Sequence, residues 1–174
     1  MIRGPVSARY GDNGVGGVIH SITRPARSEP GLHAVAQGRV GSYDSAGGSL
    51  RLSGNQGPLS ATAFLDSDHT DAYREHADFD REAGHLRLRY EPSPIASFEL
   101  GGGYASVDRQ QPGDLTQAEW DQNPRQAEPG GSDNADAERQ RFVDSRLELR
   151  PLEGVTLRVL PSYQRTTQHT RLAD

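Results

Sequence analysis

A chain of 174 residues is long enough for one ordinary domain, yet only 33% of it is apolar, 20 residues are glycine and mean hydropathy is −0.76. Such a composition disfavours a compact soluble core and leaves two classes, a disordered chain or a β-barrel wall in which only alternate residues need be apolar. The net charge of −5 argues against a nucleic-acid partner, the lack of cysteine excludes a disulfide frame, and no run of about 18 apolar residues offers a membrane-spanning helix. All 19 basic residues are arginine, from which no mechanism follows. The N-terminus lacks the apolar segment of a signal peptide; if the chain is a membrane barrel wall, its export signal is expected upstream.

The first element is RGPVSARYGDNGVGGVIHSITR, from Arg3 to Arg24. Gly4-Pro5 and Gly11-Asp12-Asn13-Gly14 are turn signals, and Gly16-Gly17 demands close backbone approach or positive φ. Val18, Ile19, Ile22 and Thr23 form a short β-type run that ends at Arg24-Pro25. A phosphate-binding glycine loop is the rival reading. It needs a strand before and a helix after, whereas here a β-run follows.

The residues Arg3, Gly4, Pro5, Ser7, Tyr10, Gly11, Gly16, Gly17, Val18, Ile19, Ile22, Thr23 and Arg24 together resemble the end of the plug domain of TonB-dependent outer-membrane receptors. Arg9 stands where that family has an apolar residue, and His20-Ser21 where it has asparagine and an apolar residue; neither disturbs the glycine geometry.

A polar linker, 26–31, leads into alternating runs. Leu32, Ala34, Ala36, Gly38 and Val40 share one face, opposite His33, Gln37 and Arg39, with Val35 as an exception. After a turn at Ser42–Ser45, Gly48, Leu50 and Leu52 oppose Ser49, Arg51 and Ser53, and Asn55–Pro58 turns the chain again. Leu59, Ala61, Ala63 and Leu65 then oppose Ser60, Thr62 and Asp66, while Phe64 points to the polar side. A polar segment, His69 to Arg81, precedes the cleanest run, where Leu86, Leu88 and Tyr90 alternate with His85, Arg87 and Arg89. Pro92-Ser93-Pro94 turns into Phe98, Leu100, Gly102 and Tyr104, opposite Ser97 and Glu99. A long polar stretch, Asp108 to Glu138, follows. Val143, Leu147 and Leu149 then oppose Asp144, Arg146, Glu148 and Arg150. Beyond the turn at Pro151–Gly154, Val155, Leu157, Val159 and Tyr163 oppose Thr156, Arg158, Ser162 and Gln164, disturbed by Leu160-Pro161.

These seven runs predict an all-β fold: antiparallel strands of a transmembrane β-barrel, each needing about 9–11 residues. The connections after the second, fourth and sixth runs are short, and those after the third and fifth are long, as expected of a periplasmic and an external rim. The connection after the first run fits in parity but not in length. Parity places the glycine-rich element on the periplasmic side of the first strand. A soluble β-sandwich binding module, built from similar strands, and a passive porin-like barrel remain as alternatives.

Seven strands leave two unpaired edges, which hydrocarbon does not tolerate. The resemblance implies a complete plug and a barrel of about 22 strands. The expectation is therefore a fragment: residues 1–25 the end of a plug, 26–31 a linker, and 32–174 the first strands of the barrel. The lumen-facing Arg87, Arg89, Arg146, Glu148 and Arg158 are expected to pair with the plug.

The resemblance implies transport rather than catalysis, with the TonB–ExbB–ExbD complex as energy source and the bacterial outer membrane as location. It implies uptake of a scarce nutrient, a ferric siderophore, another iron chelate or an anionic cofactor. No nucleophile elbow, metal-ligand spacing or paired acids in an apolar context suggests an enzyme or a resident cofactor. Ligand candidates lie in the two long loops. Tyr73, Arg74 and His76 bring a ring, a cation and an imidazole together. Asp66-Ser67-Asp68 invites a calcium reading, but the EF-hand Gly and Glu positions are not met; a looser site across loops stays open. In the second loop eight acids face two arginines, Arg109 and Arg125. There Thr116 and Glu119 read as a capping box starting a helical turn that carries Trp120 and stops before Pro124. The stretch Pro112–Ala127 resembles ferric-citrate-like and pyrroloquinoline-quinone receptors. That makes Arg74 and Arg125 candidate carboxylate partners. The alternative is that Trp120 and Arg125 only pack the loop onto the rim.

Overall fold

The computed structural model describes residues 30–130 and 134–172, together with the backbone of two short paired strands, β1 (Ile2–Arg3) and β2 (Gly17–Val18). Ile2 stands opposite Val18 and Arg3 opposite Gly17. The remaining residues of the glycine-rich motif, including Gly4, Pro5, Tyr10, Gly11 and Gly16, lie outside the described residues.

The rest is one antiparallel sheet joined consecutively: β3 (Gly31–Val40), β4 (Ala46–Gln56), β5 (Leu59–Thr70), β6 (Phe79–Ser93), β7 (Ala96–Gln110), β8 (Ala135–Leu152), β9 (Val155–Val159) and β10 (Ser162–Arg171). A single short helix, α1 (Gln117–Gln122), interrupts the loop between β7 and β8. Both β9 and β10 pair with β8. Leu147 faces Val159 and Asp144 faces Ser162, so the register does not slip across the break. Pro161 has no N–H to give the ladder, which interrupts the strand, while its carbonyl still accepts from the Ser145 amide at 3.0 Å. The sheet therefore has seven staves, as the alternation predicts.

Pairing aligns the predicted faces from edge to edge. One row runs Ala34, Leu52, Ala63, Leu86, Gly102, Val143, Tyr163, and the next apolar row includes Leu88 opposite Leu100. A shift of one residue anywhere would mix the faces, so this agreement fixes the register. Among the described residues nothing covers the apolar face: Leu86 is 50% exposed, Val143 53% and Tyr163 66%, and no hydrophobic side chain is buried. A sandwich would bury this face against a second sheet. Its openness is that of a wall built to meet hydrocarbon.

The opposite face is ionic. Its most buried side chains are acids: Asp66, Asp136 and Glu148. Asp66 accepts from Arg39 at 3.2 Å and from Arg81 at 2.8 Å; Glu148 accepts from Arg150 at 2.6 Å and from Arg158 at 2.7 Å. Arg87 reaches Glu99 at 3.1 Å and Asp144 at 3.5 Å, and Arg89 reaches Glu91 at 2.7 Å. Arg87, Arg89, Glu148 and Arg158, expected to pair with the plug, each have a partner within the wall itself, while the plug side of that expectation lies outside the described residues. Phe64, the apolar exception on this face, lies beneath the Arg51 guanidinium at 5.7 Å.

Glycine makes the longer of these bridges possible. Arg39 and Asp68 stand on β3 and β5 with Gly47 of β4 between them, and a Cβ at Gly47 would overlap the Asp68 carboxylate. Likewise Gly101 of β7 lies between Arg87 and Asp144, where a Cβ would come within 2.8 Å of Asp144 Oδ1. A missing side chain on the middle strand lets charges two strands apart meet.

The strands outrun their alternation. β5 continues through Thr70, β6 starts at Phe79, β7 ends at Gln110 and β8 starts at Ala135, so the long loops are only 71–78 and 111–134. Asp66 and Asp68 accordingly sit within a strand and an ion-pair network. Gly31, expected to end the linker, opens β3. Replacing Gly47 by Val should lower stability by about 1–3 kcal/mol, the cost of overpacking. Adding Asp68→Ala should recover part of that loss; urea unfolding of both variants in detergent measures it.

Candidate functional site

The two rims of the sheet differ in backbone chemistry. Gly57 (φ 59°) and Gly154 (φ 77°) close two-residue turns on the short-turn side without strain. On the other side, four non-glycine residues adopt left-handed conformations: Tyr43 (φ 59°), Asp44 (φ 51°), Ala72 (φ 58°) and His76 (φ 58°). Such positions cost energy and persist where the surroundings hold them, a pattern that clusters at binding sites.

The surroundings here are the other loops. The 71–78 loop reaches the 41–45 turn through the Asp71 amide, which donates to the Tyr43 carbonyl at 3.0 Å, and reaches the long loop through the Glu75 amide, which donates to the Arg125 carbonyl at 2.7 Å. Arg74 is the pin of this arrangement. Its guanidinium donates to the carbonyls of Gly113 at 2.7 Å, Pro112 at 3.1 Å and Gln126 at 3.1 Å, holding both ends of the long loop's neck. His76 Nε2 lies 3.0 Å from the Asn134 carbonyl and ties the same loop to the foot of β8.

On this scaffold sits a small aromatic and cationic cluster. Tyr43 and Tyr73 meet edge to face, with centroids 5.8 Å apart. The Arg125 guanidinium stands 5.6 Å from the Tyr73 ring centre and 5.9 Å from that of Tyr43, and its Nε donates to the Tyr73 carbonyl at 3.1 Å. No acid pairs with Arg125 among the described residues, and both tyrosines stay exposed at 43% and 46%. A cation held between rings, with guanidinium donors not matched to a carboxylate, suits an anionic ligand bearing planar groups.

Trp120 is carried by α1, whose capping box is as the sequence predicts. The Thr116 hydroxyl accepts from the Glu119 amide at 3.4 Å, and the Glu119 carboxylate accepts from the Thr116 amide at 2.8 Å. The helix ends with Asn123 as its C-cap, just before Pro124. Trp120 is 49% exposed.

Of the predicted residues, Tyr73 and Arg125 come together, Arg74 and His76 secure the loops beneath them, and Trp120 stands on the capped helix. Tyr43 was not nominated by sequence reasoning, although an aromatic ring in a short polar turn was a readable signal. Asp44, His69 and Asp71 also approach one another, with one possible ligand atom from each within 4.8 Å. His69 Nδ1 there lies 2.7 Å from Asp80 Oδ1.

Comparison with known proteins agrees with this architecture. No family model matches the chain. It is 34% identical over 86 residues to the ferric enterobactin receptor of Pseudomonas aeruginosa, an alignment covering 49% of this chain and 12% of that protein. The solved structure of the ferric citrate transporter FecA in its unliganded form superposes with a TM-score of 0.79 at 20% identity, over 95% of this chain and 26% of that one. The ferric-catecholate import receptor Fiu from E. coli K12, in an open form, gives 0.76 at 16% identity, over 97% and 28%. The chain thus spans roughly a quarter of the solved receptors, and its unclosed sheet matches part of an outer-membrane β-barrel wall.

The helix that carries Trp120 has a pH dependence of known sign. Hydrogen bonds from the Thr116 hydroxyl and amide hold the Glu119 carboxyl below its ordinary value. A depressed carboxylate contributes stability above its unfolded pKa and loses it as pH falls through the folded value. Emission from Trp120, the one tryptophan of this chain, should shift on acidification below the ordinary glutamate range. Glu119→Gln should abolish the shift and keep the helix, while Thr116→Ala should weaken the helix by about 1 kcal/mol.

Proposed function

We propose that this chain, whose sequence and architecture are those of the TonB-dependent outer-membrane receptors, contributes the outer-loop surface on which such a receptor captures an anionic ferric chelate for active uptake. The observation that carries this is the cluster of Arg125 between Tyr43 and Tyr73, on loops fixed by Arg74. Carboxylate or catecholate oxygens around a ferric ion leave the complex anionic. A guanidinium can pair with those oxygens while tyrosine rings pack on the ligand's planar groups. The similar receptors are those for ferric enterobactin, ferric citrate and ferric catecholate, ligands of that kind.

In this reading Tyr73 and Arg125 touch the ligand, Trp120 closes on it from α1, and Arg74 and His76 position them. The long-loop rim faces outside and the tight-turn rim faces the periplasm. Residues 1–25 serve as the end of a plug within the barrel, 26–31 join it to the wall, and the TonB–ExbB–ExbD complex supplies the energy. Transport is the reading's whole chemistry, with no catalytic step.

Arg125→Ala in the full-length receptor should weaken binding of ferric citrate or ferric enterobactin, whichever the wild type binds, by about ten- to a hundredfold, as for a lost charged hydrogen bond. Arg74→Ala should do so too, with increased proteolysis of the 111–134 loop that Arg125→Ala does not show. Binding of radiolabelled iron chelate together with limited proteolysis measures both; unchanged affinity in Arg125→Ala would remove the proposed site.

A further inference from the structure

Beside the ring and guanidinium cluster lies a group of side chains that chelate capture does not use. His69 stands near the end of β5, and Asp80 is directly opposite it on β6. Asp71 opens the 71–78 loop, and Asp44 sits in the turn between β3 and β4. One ligand atom each from Asp44, His69 and Asp71 comes within 4.8 Å of the others. The metal-ligand spacing missing from the sequence is thus assembled across two connections and a strand end. Elsewhere on the wall acids meet guanidiniums, as Asp66, Asp68, Asp136 and Glu148 do. Asp71 and Asp80 instead share one imidazole.

The two ring nitrogens of His69 have different surroundings. Nδ1 lies 2.7 Å from Asp80 Oδ1. A carboxylate only accepts, so Nδ1 carries the proton, and the neutral ring then turns its Nε2 lone pair toward Asp71 Oδ1, 3.2 Å away. A lone pair and a carboxylate this close repel unless a cation lies between them, and Asp44 brings a second carboxylate within 4.8 Å. A proton on Nε2 satisfies one acceptor, whereas a divalent ion can take a bond from all three. Zn²⁺ binds imidazole nitrogen at about 2.0–2.1 Å and carboxylate oxygen at about 2.0–2.2 Å, which sets two ligands of a tetrahedral ion about 3.4 Å apart. The Nε2–Oδ1 separation is already close to that span. Asp80 stands where metal-binding histidines keep the carboxylate that fixes their tautomer and orientation.

We propose that Asp44, His69 and Asp71 form a binding site for a divalent first-row transition ion such as Zn²⁺, with Asp80 as the carboxylate that orients the imidazole. A nitrogen ligand favours such an ion over calcium or magnesium, which take oxygen ligands. Three protein ligands leave a fourth position for water. The backbone is set for the ion in advance. The Asp71 amide donates to the Tyr43 carbonyl at 3.0 Å, and the Ser45 hydroxyl donates to that of Thr70 at 2.7 Å. Both bonds join the 41–45 turn to the end of β5, so closing the site takes rotation of the exposed Asp44 and Asp71 side chains rather than backbone movement. The bound ion clasps the turn that carries Tyr43 to the loop that carries Tyr73. The site stands apart from the capture reading, since neither tyrosine nor Arg125 is a ligand.

The test uses the full-length receptor in detergent, stripped of metal with EDTA and titrated calorimetrically with zinc chloride, alone and against excess calcium chloride. The wild type should bind Zn²⁺ at a site that calcium does not take over. Asp80→Asn should weaken that binding by about ten- to a hundredfold, the usual effect of losing an orienting partner, and His69→Ala should weaken it further. Asp44→Asn, which keeps a residue suited to the left-handed turn, should weaken it too, so the result does not hang on one variant's folding. Zn²⁺ should also slow proteolysis within 71–78 in the wild type but not in His69→Ala. Absence of Zn²⁺ binding by the wild type, or equal binding by the wild type, His69→Ala and Asp44→Asn, would overturn the proposal. Displacement of Zn²⁺ by calcium would do so as well, because it denies the imidazole a place among the ligands. No iron chelate enters these measurements, so failure here leaves the capture reading standing, and its failure leaves this site.

Discussion

Everything in this sheet depends on its two faces meeting different media. Ordinary domains hide apolar side chains and expose charge; here the relation is reversed. The apolar residues of seven staves form one uncovered face, and the least accessible side chains are Asp66, Asp136 and Glu148. With no buried hydrophobic side chain among the described residues, burial of apolar area within the sheet cannot account for its stability. Backbone pairing, which is obligatory where water is excluded, and contact of the outward face with hydrocarbon must do so.

The polar face is organised by the same register. Because side chains alternate strictly, Arg39, Asp68 and Arg81 fall in one row, with Gly47 as the gap that lets the first two meet. The wall thereby neutralises most of its own lumenal charge. At the rim, Arg125 lies within the loops against Tyr43 and Tyr73 with no carboxylate partner among the described residues. Left-handed backbone at the non-glycine residues Tyr43, Asp44, Ala72 and His76 belongs to the same rim, while two of the three opposite turns use glycine, at Gly57 and Gly154.

Much of this was legible in the sequence because its signals are local. Period-two alternation from Leu86 to Tyr90 reports a strand without knowledge of its neighbours. The Thr116–Glu119 box likewise needs only three residues of spacing, and both features stand as read. Strand ends such as His69-Thr70 and Phe79–Glu82 were missed because beyond the apolar band neither face needs to be hydrophobic, so the alternation disappears while the pairing continues. The partners of Arg87 were missed for another reason. Glu99 and Asp144 were visible as polar-face residues, but only inter-strand register brings them within reach. Arg74 shows the same limit, since the carbonyls it holds lie 38, 39 and 52 residues away along the chain.

The central claim is the assignment of the two faces, and site-directed spin labelling along β6 tests it most directly. Single labels from Gly84 to Tyr90, in the full-length protein reconstituted into bilayers, would be measured for collision with oxygen and with a polar nickel reagent. The account predicts a two-residue period, with positions 84, 86, 88 and 90 accessible to oxygen and 85, 87 and 89 shielded from it. Opposite phase, or no alternation at all, would contradict the claim that the apolar face is the one turned to lipid.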